Sequence, residues 1–146
     1  MELWELAARE AIRQLVASYA LHADGGRFAE LAHLFVPDGV LALPDGRNAT
    51  GRTAIVELLA STKSDLVTTT ATPLIRHYTS NLLVTVQDQA TAAGICYFFV
   101  ITERGPDHWG RYKDTYACVD GTWLFRQRQV RLDGFAPGSW ASARRG

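Results

Sequence analysis

The chain has 146 residues, 47% of them hydrophobic, and its fifteen basic side chains are balanced by fifteen acidic ones. That length suits one domain and that apolar content a packed core, which argues against a disordered chain. Lys and Arg bunch only at Arg144-Arg145, and no apolar run nears the roughly 20 residues of a membrane span, so neither a nucleic-acid nor a membrane partner is expected.

The N-terminus lacks a basic segment followed by an apolar one, so no signal peptide and a cytoplasmic location are expected. Cys96 and Cys118 both lie in strand-like runs, where two buried thiols are the better expectation than a disulfide. No Cys-x-x-Cys or His-Glu-x-x-His spacing occurs. No metal or cofactor is therefore expected.

From about Glu2 to Ala23, Leu3, Leu6, Ile12, Leu15, Val16 and Tyr19 recur at helical spacing, and Gly25-Gly26 stop the helix. A short helix follows, with Phe28, Leu31, Leu34 and Phe35 on its apolar side, broken by Pro37-Asp38-Gly39. Val40 to Leu43 reads as a short strand, and Pro44-Asp45-Gly46 as its turn. Gly51-Arg52-Thr53 leads into a third helix carrying Ile55, Leu58 and Leu59. Ser61 to Thr72 reads as a polar loop.

The period then changes to two. Strands are expected over Leu74–Val86, Ala92–Glu103, Trp109–Val119 and Trp123–Val130. Gly105-Pro106-Asp107 reads as a loop that leaves His108 exposed, and Asp120-Gly121 as a tight hairpin turn. His22 and His33 are expected on the surface. Asp133 to Gly146 reads as a tail with two large apolar residues, Phe135 and Trp140, expected to fold over a pocket mouth or a neighbouring subunit.

Helices followed by antiparallel strands make an α+β domain. The expected form is a cone-shaped α+β barrel, three N-terminal helices on a curved, mostly antiparallel sheet, with an apolar cone between the layers for a small molecule. Leu15, Phe35, Ile55, Leu83, Phe98 and Trp123 are expected in its core.

Within this frame, Asp24 ends the first helix and His77 opens a strand. A carboxylate that orients an imidazole makes a general base that works near neutral pH. Read locally, Asp24 beside two glycines also fits a turn residue, and His77 a satisfied core histidine. The stripe His77, Thr79, Asn81 is polar, which fits a lined cavity or a solvent face better than a dry core. Tyr97, Tyr112 and Tyr116 fit sheet packing as well as chemistry.

Several pieces occur together in order: Ile12 to Tyr19 with Asp24; Leu31-Ala32-His33-Leu34-Phe35 with Asp38-Gly39-Val40; Gly51; His77 with Asn81; Gly110-Arg111-Tyr112 with Asp114; and Gly121-Thr122-Trp123 with Arg128. In this, residues 5 to 130 resemble the nuclear transport factor 2-like superfamily in its SnoaL-like branch. That group includes scytalone dehydratase, bile acid dehydratase, hexachlorocyclohexane dehydrochlorinase, ketosteroid isomerase and polyketide cyclases. The resemblance implies one such domain over residues 1–146. It implies catalytic roles for Asp24, His77 and Tyr19, with Tyr112, Arg128, Asn81 and Phe98 around the substrate. The strand after His77 offers no central acid, only Glu103 at its end, so an isomerase-style carboxylate shuttle is not implied.

The implied activity is a cofactor-independent lyase eliminating water from a small, apolar, oxygenated ring or polyketide-like molecule. An isomerase or polyketide cyclase would share the site, and a non-catalytic small-molecule binder would share only the fold. A homodimer or homotrimer is expected through the outer sheet face, because Cys96 to Ile101 is apolar on both faces. Light scattering at micromolar concentration should give two or three times the chain mass, and a monodisperse monomer would count against it.

Overall fold

The computed structural model describes residues 1–67 and 74–139, with side chains left out at 65–67. Residues 140–146 of the expected tail, Trp140 among them, lie outside the described residues, as do residues 68–72 of the expected polar loop. The elements run α1 (Leu3–Asp24), α2 (Phe28–Ala32), β1 (Phe35–Ala42), β2 (Asn48–Thr50), α3 (Arg52–Val67), β3 (Ile75–Val86), β4 (Thr91–Thr102), β5 (Gly105–Val119) and β6 (Thr122–Phe135). The six strands form one curved sheet in the order β2-β1-β6-β5-β4-β3. Every pairing is antiparallel except β1 with β6. The sheet ends at β2 and β3 and does not close into a barrel.

Helix α1 lies on β3, fastened near both ends. Arg9 donates to the Val84 carbonyl, and Asp24 binds His77. Fifteen helical steps rise about 22 Å and seven strand steps about 23 Å, so the two ties match in length. Arg9 already meets β3 two residues from its end, so the turns before it overhang the sheet. Leu3 and Leu6, expected on the buried face, are therefore exposed, and the core begins at Ala8.

That core joins α1, through Ile12, Leu15, Val16 and Tyr19, to Leu31, Phe35, Ile55, Phe98, Tyr112, Tyr116, Trp123 and Phe125. Leu83 is the one member of the expected core that falls outside it, at 70% exposure. The cause is a bulge in β3. Ser80 pairs with Tyr97 but Leu83 with Ile95, and Asn81 sits in the gap with a left-handed φ of 58°. The extra residue reverses which side chains face the core. Leu82, Val84 and Val86 pack inward instead, and Asn81 is exposed rather than aligned with His77 and Thr79.

Other boundaries shift for similar reasons. β1 starts at Phe35, because a register shift between Phe35 and Val40 absorbs Pro37 without ending the strand. α3 continues through Ser61 to Val67, where a loop was expected. The β4–β5 turn is Glu103-Arg104, and Gly105, with a φ of 101°, already opens β5. β6 runs on to Phe135, so the first three residues of the expected tail are sheet. The Asp120-Gly121 hairpin turn is present, with positive φ at both residues. Cys96 is buried, Cys118 half-buried, and both are free thiols.

The outer face of the sheet carries Tyr78, Leu83, Tyr97 and Trp109, all exposed. On the inner face, Gly110 lies at another register shift, where β5 meets β6. A Cβ there would collide with the Arg131 carbonyl oxygen. Gly110→Ala should destabilise the fold by about 1–3 kcal/mol, read as a lower urea midpoint at unchanged slope.

Candidate active site

Asp24 is the last residue of α1. The helix stops because Gly26 takes a left-handed φ of 69° and turns the chain away. An acid in the last turn faces the negative end of the helix dipole, which costs about 0.3–1 kcal/mol. Three hydrogen bonds offset this. Asp24 Oδ1 accepts from His77 Nδ1 at 2.7 Å, and both carboxylate oxygens lie 3.1 Å from the His77 backbone N–H. The side chains are 9% and 18% exposed for Asp24 and His77.

The chemistry of the partners assigns the tautomer. An ionised carboxylate only accepts, so Nδ1 carries the proton and Nε2 of the neutral ring is the acceptor. The backbone contact fixes the strand under the ring as well as the ring itself. A simple turn residue has no need of either bond.

Inward-facing residues of β3, β4 and β5 line up in rows. His77 pairs with Val100, which pairs with His108; Thr79 pairs with Phe98, which pairs with Gly110; Cys96 pairs with Tyr112. Phe98 stacks on Tyr112 at 4.6 Å between centroids, and Tyr19 of α1 meets the Tyr112 ring edge-on at 6.0 Å. Tyr19, Tyr112, Phe98 and Arg128 therefore form one continuous cluster, and the Asp24–His77 pair adjoins it through Val100. Asn81 stands apart, exposed at the bulge.

Arg128 is 0% exposed. Its Nε and Nη2 bind the two oxygens of Asp114 at 2.9 Å each, and Tyr116 donates to the same carboxylate at 2.8 Å. The guanidinium also lies over Tyr112, 3.8 Å from the ring centre, and over Tyr19 and Phe125 at 4.4 Å. Its Nη1 makes no hydrogen bond among the described residues. Burial opposes the charge, but Asp114 outweighs it and holds the guanidinium pKa above its ordinary value. Burial likewise pushes the phenol pKa of Tyr19 up and that of Tyr112 far up, while Arg128 draws both partly back. Both phenols are neutral donors. Burial also raises the Cys96 thiol to about 11, so it is no ready nucleophile.

Two polar residues on this face were given no site role in the sequence reading. Asp114 lies on the alternation Tyr112, Asp114, Tyr116, which is legible as an acid on an inward stripe. His108, expected exposed in a loop, is buried at 8% and bound to Asp107 through Nδ1 at 2.7 Å. Placing the turn at Gly105-Pro106-Asp107 hid it. Among the described residues no group of three or more His, Cys, Asp or Glu side chains could hold a metal ion.

Asp114→Asn would strand a buried guanidinium and should cost about 3–5 kcal/mol in denaturant unfolding. Replacing both partners, Asp114→Leu with Arg128→Met, should recover much of that loss.

The chain matches the SnoaL-like domain over residues 4–129. No curated protein matched it in sequence. Among solved structures, a Novosphingobium aromaticivorans protein provisionally named a scytalone dehydratase is 28% identical, with 93% of this chain and 91% of that chain covered and a TM-score of 0.79. A Catenulispora acidiphila protein solved in complex with S-DNPA is 26% identical over 88% of this chain and 95% of that chain, with a TM-score of 0.76. LinA superposes with a TM-score of 0.80 over 92% of each chain, and at 21% identity that likeness concerns the fold alone. The SnoaL-like match spans most of the chain, from α1 into β6, and this protein belongs to the SnoaL-like domain family.

Proposed function

We propose that the protein is a cofactor-independent lyase that removes water from a small cyclic β-hydroxy ketone, with His77 as the base. The observation that carries this reading is the Asp24–His77 pair, 2.7 Å apart and doubly anchored on the backbone. His77 Nε2 takes the proton from the carbon between carbonyl and carbinol, and Asp24 stabilises the imidazolium as it forms. The electrons of the broken C–H bond become the new double bond, and the hydroxyl leaves with the C–O electron pair, taking up a proton to depart as water while His77 in turn releases the one it gained.

Tyr19 or Tyr112 donates to the carbonyl oxygen as negative charge builds there. Arg128 stands behind both rings, and its positive charge strengthens that donation. Phe98 and Val100 supply the apolar wall that keeps competing water out. The kinship with a protein provisionally named a dehydratase supports elimination of water over other chemistry on this fold. A pure binder would have no use for a carboxylate held against both the ring and the backbone of one histidine. The exposed aromatic residues of the outer sheet face serve, in this reading, to pair two copies of the chain.

Wild-type protein should convert 3-hydroxycyclohexanone or 3-hydroxy-1-tetralone to the enone or naphthol, followed by ultraviolet absorbance. His77→Gln should lower kcat by roughly 10²–10⁴-fold with KM little changed. Asp24→Asn should also slow turnover severely, since an amide can hold the ring but cannot balance its charge. Wild-type rates in both variants would overturn the assignment. Tight binding of 1-tetralone without turnover of either ketone would make the protein a binder.

A further inference from the structure

Two apolar surfaces lie open among the described residues, and their charges are opposite. The first is the overhanging tip of α1, where Met1, Leu3 and Leu6 are exposed. The sheet of its own chain reaches this helix only from Ala8 and Arg9 onward. Glu2 caps this end and Glu5 sits in the first turn. They are the only charged side chains before Arg9, so the tip is acidic. The second surface is the outer face of the sheet, where the residues align in rows. Tyr78 pairs with Phe99, which pairs with Trp109; Ser80 with Tyr97, then Arg111 and Arg131; Leu83 with Ile95, then Lys113 and Gln129. The β3–β4 half is therefore apolar and the β5–β6 half basic. Asp133, the acid on that half, is already bound by Arg111, while Lys113 and Arg131 are exposed.

Neither surface suits a copy of itself. Two tips would set Glu2 and Glu5 against their own copies, and two sheet faces laid strand over strand would do the same with Arg111, Lys113 and Arg131. A tip on a sheet face instead sets leucine against leucine and tyrosine, and carboxylate beside base. The sizes agree, since a helix about 10 Å across spans two strands set about 4.8 Å apart. We propose that the outer sheet face is the docking surface for the α1 tip of a second copy of this chain. Leu3 and Leu6 seat on Leu83, Ile95 and Tyr97, and Glu2 and Glu5 face Lys113 and Arg131. This rests on the pairing of copies through that face and says what each copy contributes. One tip covers only part of the roughly 800 Å² per partner that a stable interface buries. Each copy therefore gives one tip and receives one, reciprocally in a dimer or around a closed ring.

Sedimentation velocity at micromolar concentration tests the contact, with circular dichroism to check folding. The variant Leu3→Asp with Leu6→Asp should sediment as a monomer, and so should Leu83→Asp with Tyr97→Asp. All four side chains are exposed, so the fold should hold. A monomeric wild type would overturn the proposal together with the pairing of copies. Assembly lost in the sheet variant but intact in the tip variant would overturn the tip contact alone and leave a sheet-on-sheet pair. Charge reversal gives a second, independent reading. Glu2→Lys with Glu5→Lys, and separately Lys113→Glu with Arg131→Glu, should each weaken association by roughly tenfold or more. All four changes in one chain should restore it to within roughly threefold of wild type. If the two losses instead add in the fourfold variant, the tip does not meet the basic rows, and the proposal fails.

Discussion

The buried ion pair of Arg128 and Asp114 is the constraint on which the interior depends. Taking two charges out of water costs several kcal/mol each, and only close, multiply bonded geometry returns that. Here the geometry is a two-pronged contact at 2.9 Å, with a phenol on the carboxylate and three aromatic rings against the guanidinium. Each of those rings comes from the core: Tyr19 from α1, Tyr112 from β5, Phe125 from β6. The pair thus sets the distance between helix and sheet.

Asp24 does a different job at the edge of the sheet. β3 is an edge strand among the described residues, and an edge carries backbone donors with no strand to meet. Asp24 satisfies one of these at His77 and, with the same group, orients the ring. Structure and proposed chemistry therefore share one carboxylate. Arg9, at the far end of α1, uses the same logic on the Val84 carbonyl. The helix is thereby fastened at two points, and Asp24 is held in register with His77.

Bulges decide which side chains reach the interior. One in β3 turns Asn81 and Leu83 outward, one in β5 brings Asp107 in beside His108, and a third lies beside Gly110. Each alters the alternation by one residue, and one residue exchanges the two faces of a strand. A strictly alternating sheet would have built a different site from the same residues.

Much was legible in the order of residues alone. The amphipathic stripe from Ile12 to Tyr19, the two-residue alternation from Tyr112 to Tyr116 and the Asp120-Gly121 turn are local signals, because helix periodicity, strand pleat and turn sterics act over a few residues. They sufficed for an α+β fold; the pairing of Asp24 with His77 came from the resemblance to the SnoaL-like branch, since read locally Asp24 also fits a turn residue and His77 a core histidine. What they could not carry was register. Whether Pro37 ends a strand or sits in a bulge, whether Asn81 faces in, and whether His108 is loop or sheet depend on the partner strand, which lies far away in sequence. The contact of Asp24 with a histidine 53 residues later is of the same kind, since no local force acts over that span. The burial of Arg128 is too: its charge tolerates the interior only because tertiary folding delivers Asp114 and three rings to it at once.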